Sequence, residues 1–394
     1  MEKPLITQTS HTRPRIHAFD ALRVFAILTV LLIHAIMTGR EIGQPASLAK
    51  FDDWIHYAVP LFVFVSGALL WSRPWKGGHY GAFVKKRIQR VGPSYLFWSI
   101  VYLVLLYAGF TGSHAIYASQ YNWQGLSTGG VNWLTNIIRI PGYLFSGHTW
   151  YHLYFIPMIF TFYLLTPLFV RALRAFKWSA ELTVLAALCL KILVWPHVSD
   201  GLEALGNPFL LSYTSHLFQH LPNMALGGWF GMRFGGLLTS YSLHWTFNER
   251  KNVMTAIEPD EIGLKHVKDG EPTRTIAAPA LAGFSVKAWS MGLSSFWNIG
   301  IFAIPACLLE PLWIKIQKPL RAASHLSFGV YYIHALYVLV AQKLTLAFLD
   351  PDYWAQFWIS WQGIAITWVF LVVASYGTCW LLSKSERLRW IIGI

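Results

Sequence analysis

Charge is scarce in this sequence. Of 394 residues only 12% are Asp, Glu, Lys or Arg, against roughly a quarter in soluble globular chains. Acid is scarcer still: 18 Asp plus Glu stand against 31 Lys plus Arg, for a net charge of +13. Cysteine is nearly absent, with three residues (Cys189, Cys307, Cys379) inside apolar stretches and without metal-ligand spacing. That excludes a disulfide framework and a cysteine-ligated metal. The lack of charge beside 55% hydrophobic residues excludes an ordinary soluble domain, because a single core stops growing beyond roughly 250–300 residues. A basic chain can bind nucleic acid, but here Lys and Arg sit in short loops between apolar runs. There they orient helices in a membrane, so no nucleic acid is expected.

What the chain does have is long apolar runs, with 20 Trp and 18 Tyr available for the two interfacial belts. Runs of about 18 residues read as membrane-spanning helices. Nine are visible, over residues 19–38, 54–71, 91–110, 151–170, 182–195, 215–232, 286–309, 326–346 and 357–382. Arg13 and Arg15 precede the first, and Lys384, Arg387 and Arg389 follow the last, which puts both termini in the cytoplasm. Two ends on one side require an even number of crossings, so the short apolar segment 234–247 is taken as a tenth. That places the hydrophilic loop 248–285 outside. An interfacial helix is expected near 133–140. The sequence therefore predicts an all-α, polytopic transmembrane bundle of about ten helices, a single domain over 1–394 with membrane lipid around it.

Ionisable groups inside a bilayer are expensive and mark function. Arg23 and His34 lie eleven residues apart, about 1100° of helical turn, so they leave one face of one helix about 16 Å apart along its axis. Arg forks onto phosphate, and a neutral imidazole can take a proton from an attacking hydroxyl. The plain alternatives are a topological anchor and a packed histidine. Arg87 and Arg90, three residues apart before Val91, share a helix face at the inner mouth of the third span and suit a phosphate clamp. Ser66, Gly67 and Ala68 permit close helix approach. His148, Trp150, Tyr151, His152, Tyr154 and Phe155 gather at the outer start of the fourth span, where aromatic faces and imidazoles suit a sugar or an ordinary aromatic belt. His148 and His152 are four apart but lack a third ligand, so no metal is expected. His334 lies within its span and needs a partner, structural or catalytic.

Taken as a set, these segments resemble the bacterial integral-membrane acyltransferase 3 family. The likeness lies in Asp20-Ala-Leu-Arg23 followed by His34, an Arg-x10-His pattern; in Phe62-Val-Phe-Val-Ser66-Gly67; in Arg87-x-x-Arg90 with Pro93-Ser-Tyr95; in His148 to Phe155; and in Ser327-Phe-Gly329-Val-Tyr331-Tyr-Ile-His334. The resemblance implies a ten-helix fold in a bacterial inner membrane. It implies acyl-CoA, most simply acetyl-CoA, as a co-substrate bound from the cytoplasm by Arg23, Arg87 and Arg90, with no tightly held cofactor. It implies His34 as the essential catalytic group, and a glycan or glycolipid hydroxyl as acceptor. By their own chemistry and place, His148, Trp150, His152 and His334 are candidate acceptor or auxiliary residues, with packing roles the alternative. No Ser or Cys stands beside His34, which favours direct transfer over an acyl-enzyme. The other readings are a polysaccharide exporter, or succinyltransferase-like export protein, and a membrane sensor using the loop 248–285.

Overall fold

A computed structural model describes residues 15–71, 80–107, 133–175, 179–254 and 294–394. Every regular element among them is helical: α1 (His17–Glu41), α2 (Ala46–Ile55), α3 (Ala58–Trp71), α4 (Tyr80–Tyr107), α5 (Trp133–Ser146), α6 (Phe155–Ala175), α7 (Ala180–Cys189) running through a π turn (Leu190–Val194) into α8 (Trp195–Ala204), α9 (Pro208–Met254), α10 (Ser294–Leu308), α11 (Glu310–Lys315), α12 (Gln317–Phe348), α13 (Pro351–Ile359) and α14 (Trp361–Lys384), with a final 3-10 turn (Arg389–Ile392). Among the described residues, five stretches are long and apolar enough to cross a membrane: His17–Arg40, Ala46–Trp71, Glu181–Ala204, Gln317–Phe348 and Trp361–Lys384. Their outer faces are apolar. Leu182, Leu185, Ile192 and Leu193 are each at least half exposed, as are Ile366, Val369, Val373 and Leu381. An apolar surface of that extent suits acyl chains and not water.

The long helix α9 corrects the sequence reading. Residues 234–247 do not turn back as a separate tenth crossing; they continue one helix of 47 residues, about 70 Å long and more than twice a hydrocarbon core. Arg233, just before that segment, does not end the helix: its Nη2 reaches Glu181 Oε1 at 2.7 Å, and Trp229 Nε1 donates to the same oxygen at 2.9 Å. A charge that pairs along the helix flank needs no loop. Residues 248–254 of the hydrophilic segment are the end of α9. The rest of it, 255–285, lies outside the described residues, as do 286–293 of the expected seventh visible span.

α1 is the hub, touching α2, α3 and α10 to α14. Its sequence has no Gly or Pro between His17 and Thr38, so nothing interrupts it. It runs parallel to α12: Ser324 Oγ donates to Asp20 Oδ1 (2.7 Å) at one end, and Gln342 Nε2 donates to Thr38 Oγ1 (2.7 Å) at the other. The first turn of α1 has no capping side chain of its own. Glu310, 293 residues away, supplies the cap: Oε1 accepts from His17 N at 2.8 Å and from the His17 ring at 3.1 Å, and Oε2 accepts from Ala18 N at 2.6 Å. Glu310 is 1% exposed, so its removal strands two buried N–H groups. Glu310→Ala is expected to cost about 3 kcal/mol, read as a lowered Tm in detergent; an unchanged Tm would show that the helix start is satisfied another way.

The chain's two described ends meet. Arg15 and Gly393 line the same cavity, so they lie at the same end of the bundle.

Candidate functional site

The cavity, about 1080 Å³, opens at that end. Arg23 comes from α1, Arg87 and Arg90 from α4, and His325 from α12; Ser66 and Gly231 form the wall where α3 meets α9. Its volume is that of a site for a large organic ligand. Arg15 also lines it but is spoken for. Its Nε and Nη2 donate to the two oxygens of Asp20 at 2.6 and 2.7 Å, and those hydrogen bonds raise its pKa further. Arg90 Nε donates to Gly393 O at 2.8 Å. Arg23 and Arg87 make no hydrogen bond or ion pair with any described residue. The Arg87 guanidinium lies 5.2 Å from the ring centres of Phe83 and Tyr163, an arrangement that holds a cation without neutralising it. Arg23 and the Arg87-x-x-Arg90 pair thus converge on one basic chamber, with Asp20 the only acidic residue among the described residues of its lining.

At its inner end the chamber is bounded by Phe155 and Tyr331, whose ring centres are 5.4 Å apart. Beyond them lies a histidine cluster. The His34 ring centre is 4.9 Å from His334 and 4.8 Å from Tyr151; His152 is 4.8 Å from His334 and 5.2 Å from Tyr331. Three elements deliver these groups. α1 carries His34 three turns above Arg23, α12 carries His334 beside it, and the turn 147–154 carries Tyr151 and His152. That turn begins at Gly147, with φ +78° and no room for a Cβ against Tyr154. Only glycine takes such a position without strain. The Tyr331 hydroxyl donates to the His152 carbonyl, tying α12 to the turn.

The remaining two residues picked from the sequence go elsewhere. His148 faces α9, with its Nε2 2.8 Å from Ser212 Oγ and its ring 6.2 Å from that of His216. Burial, then the neighbouring His216, pushes its pKa down to about 3, so it is neutral at working pH. Trp150 is 4% exposed and stacks on Tyr102 at 5.0 Å, with Tyr102 OH bonded to Tyr332 O at 2.6 Å. It packs the scaffold and does not reach His34. Tyr331 belongs to the Ser327–His334 segment picked from the sequence, three positions before His334. Tyr163, also in the lining, carries no sequence signal. Among the described residues, no three of His, Cys, Asp and Glu converge to hold a metal ion.

No curated protein and no solved structure matches the chain. A family model described as an acyltransferase domain, of the acyltransferase 3 type, matches residues 16–384. That range contains Arg23, both arginines of α4, the turn 147–154 and all three clustered histidines. By that match the chain is an acyltransferase, and it belongs to the acyltransferase 3 family.

Proposed function

We propose that this acyltransferase moves an acyl group, most simply acetyl, from cytoplasmic acyl-CoA to a hydroxyl of an extracytoplasmic glycan or glycolipid, in a bacterial inner membrane. The observation that carries the reading is adjacency: a basic chamber with uncommitted arginines ends at Phe155 and Tyr331, and the Tyr331 ring packs against His152 and His334. Arg23, Arg87 and Arg90 bind the donor's phosphates. The pantetheine arm follows the α1 face for the roughly 16 Å from Arg23 to His34. His34 takes the proton of the acceptor hydroxyl, the oxygen attacks the thioester carbonyl, and the departing thiolate recovers the proton. No covalent acyl-enzyme and no tightly bound cofactor is needed.

The test is transfer from radiolabelled acetyl-CoA to cell-surface glycan in membranes holding the protein. Arg23→Ala and Arg87→Ala are each expected to raise the KM for acetyl-CoA by tenfold to a hundredfold, on the order of the 1.5–3 kcal/mol of one charged hydrogen bond. If both variants keep the wild-type KM, the chamber is not the donor site. If wild type labels nothing from acetyl-CoA or from succinyl-CoA, the export reading replaces this one.

A further inference from the structure

His334 is fully buried, at 0% exposure in the middle of α12. Its Nδ1 lies 2.8 Å from Tyr331 O and 3.3 Å from Val330 O. A carbonyl can only accept, so Nδ1 carries the proton and Nε2 carries the lone pair. That Nε2 is buried without a hydrogen-bond partner among the described residues. An acceptor left unmet in a protein interior costs about 1–3 kcal/mol, and a packing histidine could have been replaced by Leu or Phe at no such cost. The nearest imidazoles are His34 and His152, at 4.9 and 4.8 Å between ring centres. The parallel pairing of α1 and α12, pinned by Asp20–Ser324 and Thr38–Gln342, fixes the spacing of His34 and His334.

We infer that His334 is a positioning residue for His34: its Nε2 accepts the ring N–H of His34 and holds His34 in the tautomer whose other nitrogen faces the hydroxyl. The inference rests on the acyl-transfer reading through His34. At this spacing, a small rotation of the His34 ring brings N–H to lone pair. As His34 becomes an imidazolium, the neutral His334 dipole stabilises it. The proton passes from the acceptor oxygen to His34, the C–O bond forms, the C–S bond breaks, and the thiolate takes the proton from His34; His334 ends as it began. The line from Tyr331 carbonyl through His334 to His34 orients the base as a carboxylate does in other sites. It does so without a buried anion, which a bilayer interior penalises.

Two near-isosteric variants test this with labelled acetyl-CoA and surface glycan. His334→Asn keeps a donor toward Tyr331 O but loses the acceptor at Nε2. It is expected to lower kcat on the order of 100-fold, with KM for acetyl-CoA unchanged. His334→Gln places an amide oxygen near the Nε2 position and is expected to restore about tenfold of that loss. A His334→Asn protein that inserts normally and turns over at the wild-type rate overturns the inference. So does loss of folding in both variants, since His334 is then structural, and so does equal loss in both without unfolding, since the acceptor at Nε2 then plays no part. His34→Ala is run beside them. If it alone transfers normally, the reading beneath has failed; if it is dead while His334→Asn is normal, only the present inference has.

Discussion

His34→Ala is expected to lower acyl transfer on the order of 1,000-fold and to leave the bundle folded. A general base contributes about 10²–10⁴-fold, and His34, three turns above Arg23 with its ring against Tyr151 and His334, is the base of the proposed transfer. Its neighbours Ile33, Ala35 and Ile36 carry the packing of that turn. The half-buried imidazole carries less of it. Loss of activity is therefore expected without loss of insertion, and donor binding measured by titration with acetyl-CoA should be preserved. A variant that inserts, binds donor and transfers at the wild-type rate would remove His34 from the mechanism.

Gly227→Ala is expected to be strongly destabilising for a single added methyl group. α3 and α9 approach backbone to backbone. A Cβ at Gly227 would fall inside the van der Waals surface of Phe64 O, one at Gly231 inside that of Ala68 O, and one at Gly67 inside that of Met224 O. Backbone cannot rotate aside as a side chain can, so the two helices must separate. Overpacking costs typically 1–3 kcal/mol and more where nothing yields; about 3 kcal/mol or more is expected here, read as a Tm lowered by several degrees in detergent. Because Ser66, Ala68 and Gly231 form the chamber wall, donor affinity should fall as well. The control is Gly377→Ala in α14, where a Cβ meets nothing within 4 Å. It should be neutral or slightly stabilising, since Ala favours helix over Gly by up to about 1 kcal/mol. Equal behaviour of the two variants would mean that α3 and α9 do not pack this closely.

Much of the site was legible because its residues recur at helical spacings. Arg23 with His34 and Arg87 with Arg90 needed only 3.6 residues per turn to be placed on shared faces. Ser66-Gly67-Ala68 was readable as a packing signal, and the helix it packs against proved to be the one carrying Gly227 and Gly231. The sequence gathered the His148–Phe155 segment at one level of the membrane but did not say which way each side chain points. His152 joined the cluster; His148 and Trp150 turned away. Adjacent residues in a tight turn point in different directions, and no periodicity says which. The tenth crossing failed for a related reason. Arg233 interrupts the apolar run in sequence, but the partner that lets the helix continue, Glu181, is 52 residues away.

The sequence by itself determined a helical membrane chain and the helix faces shared by Arg23 with His34 and by Arg87 with Arg90, because scarcity of charge, apolar run length and residues on one helix face are local properties. The tertiary structure alone decided that His334 meets His34, that Glu310 caps α1, and that Arg15 and Gly393 close the same cavity. Each of those joins segments nearly three hundred residues or more apart, and only the packing of helices against one another brings such segments into contact.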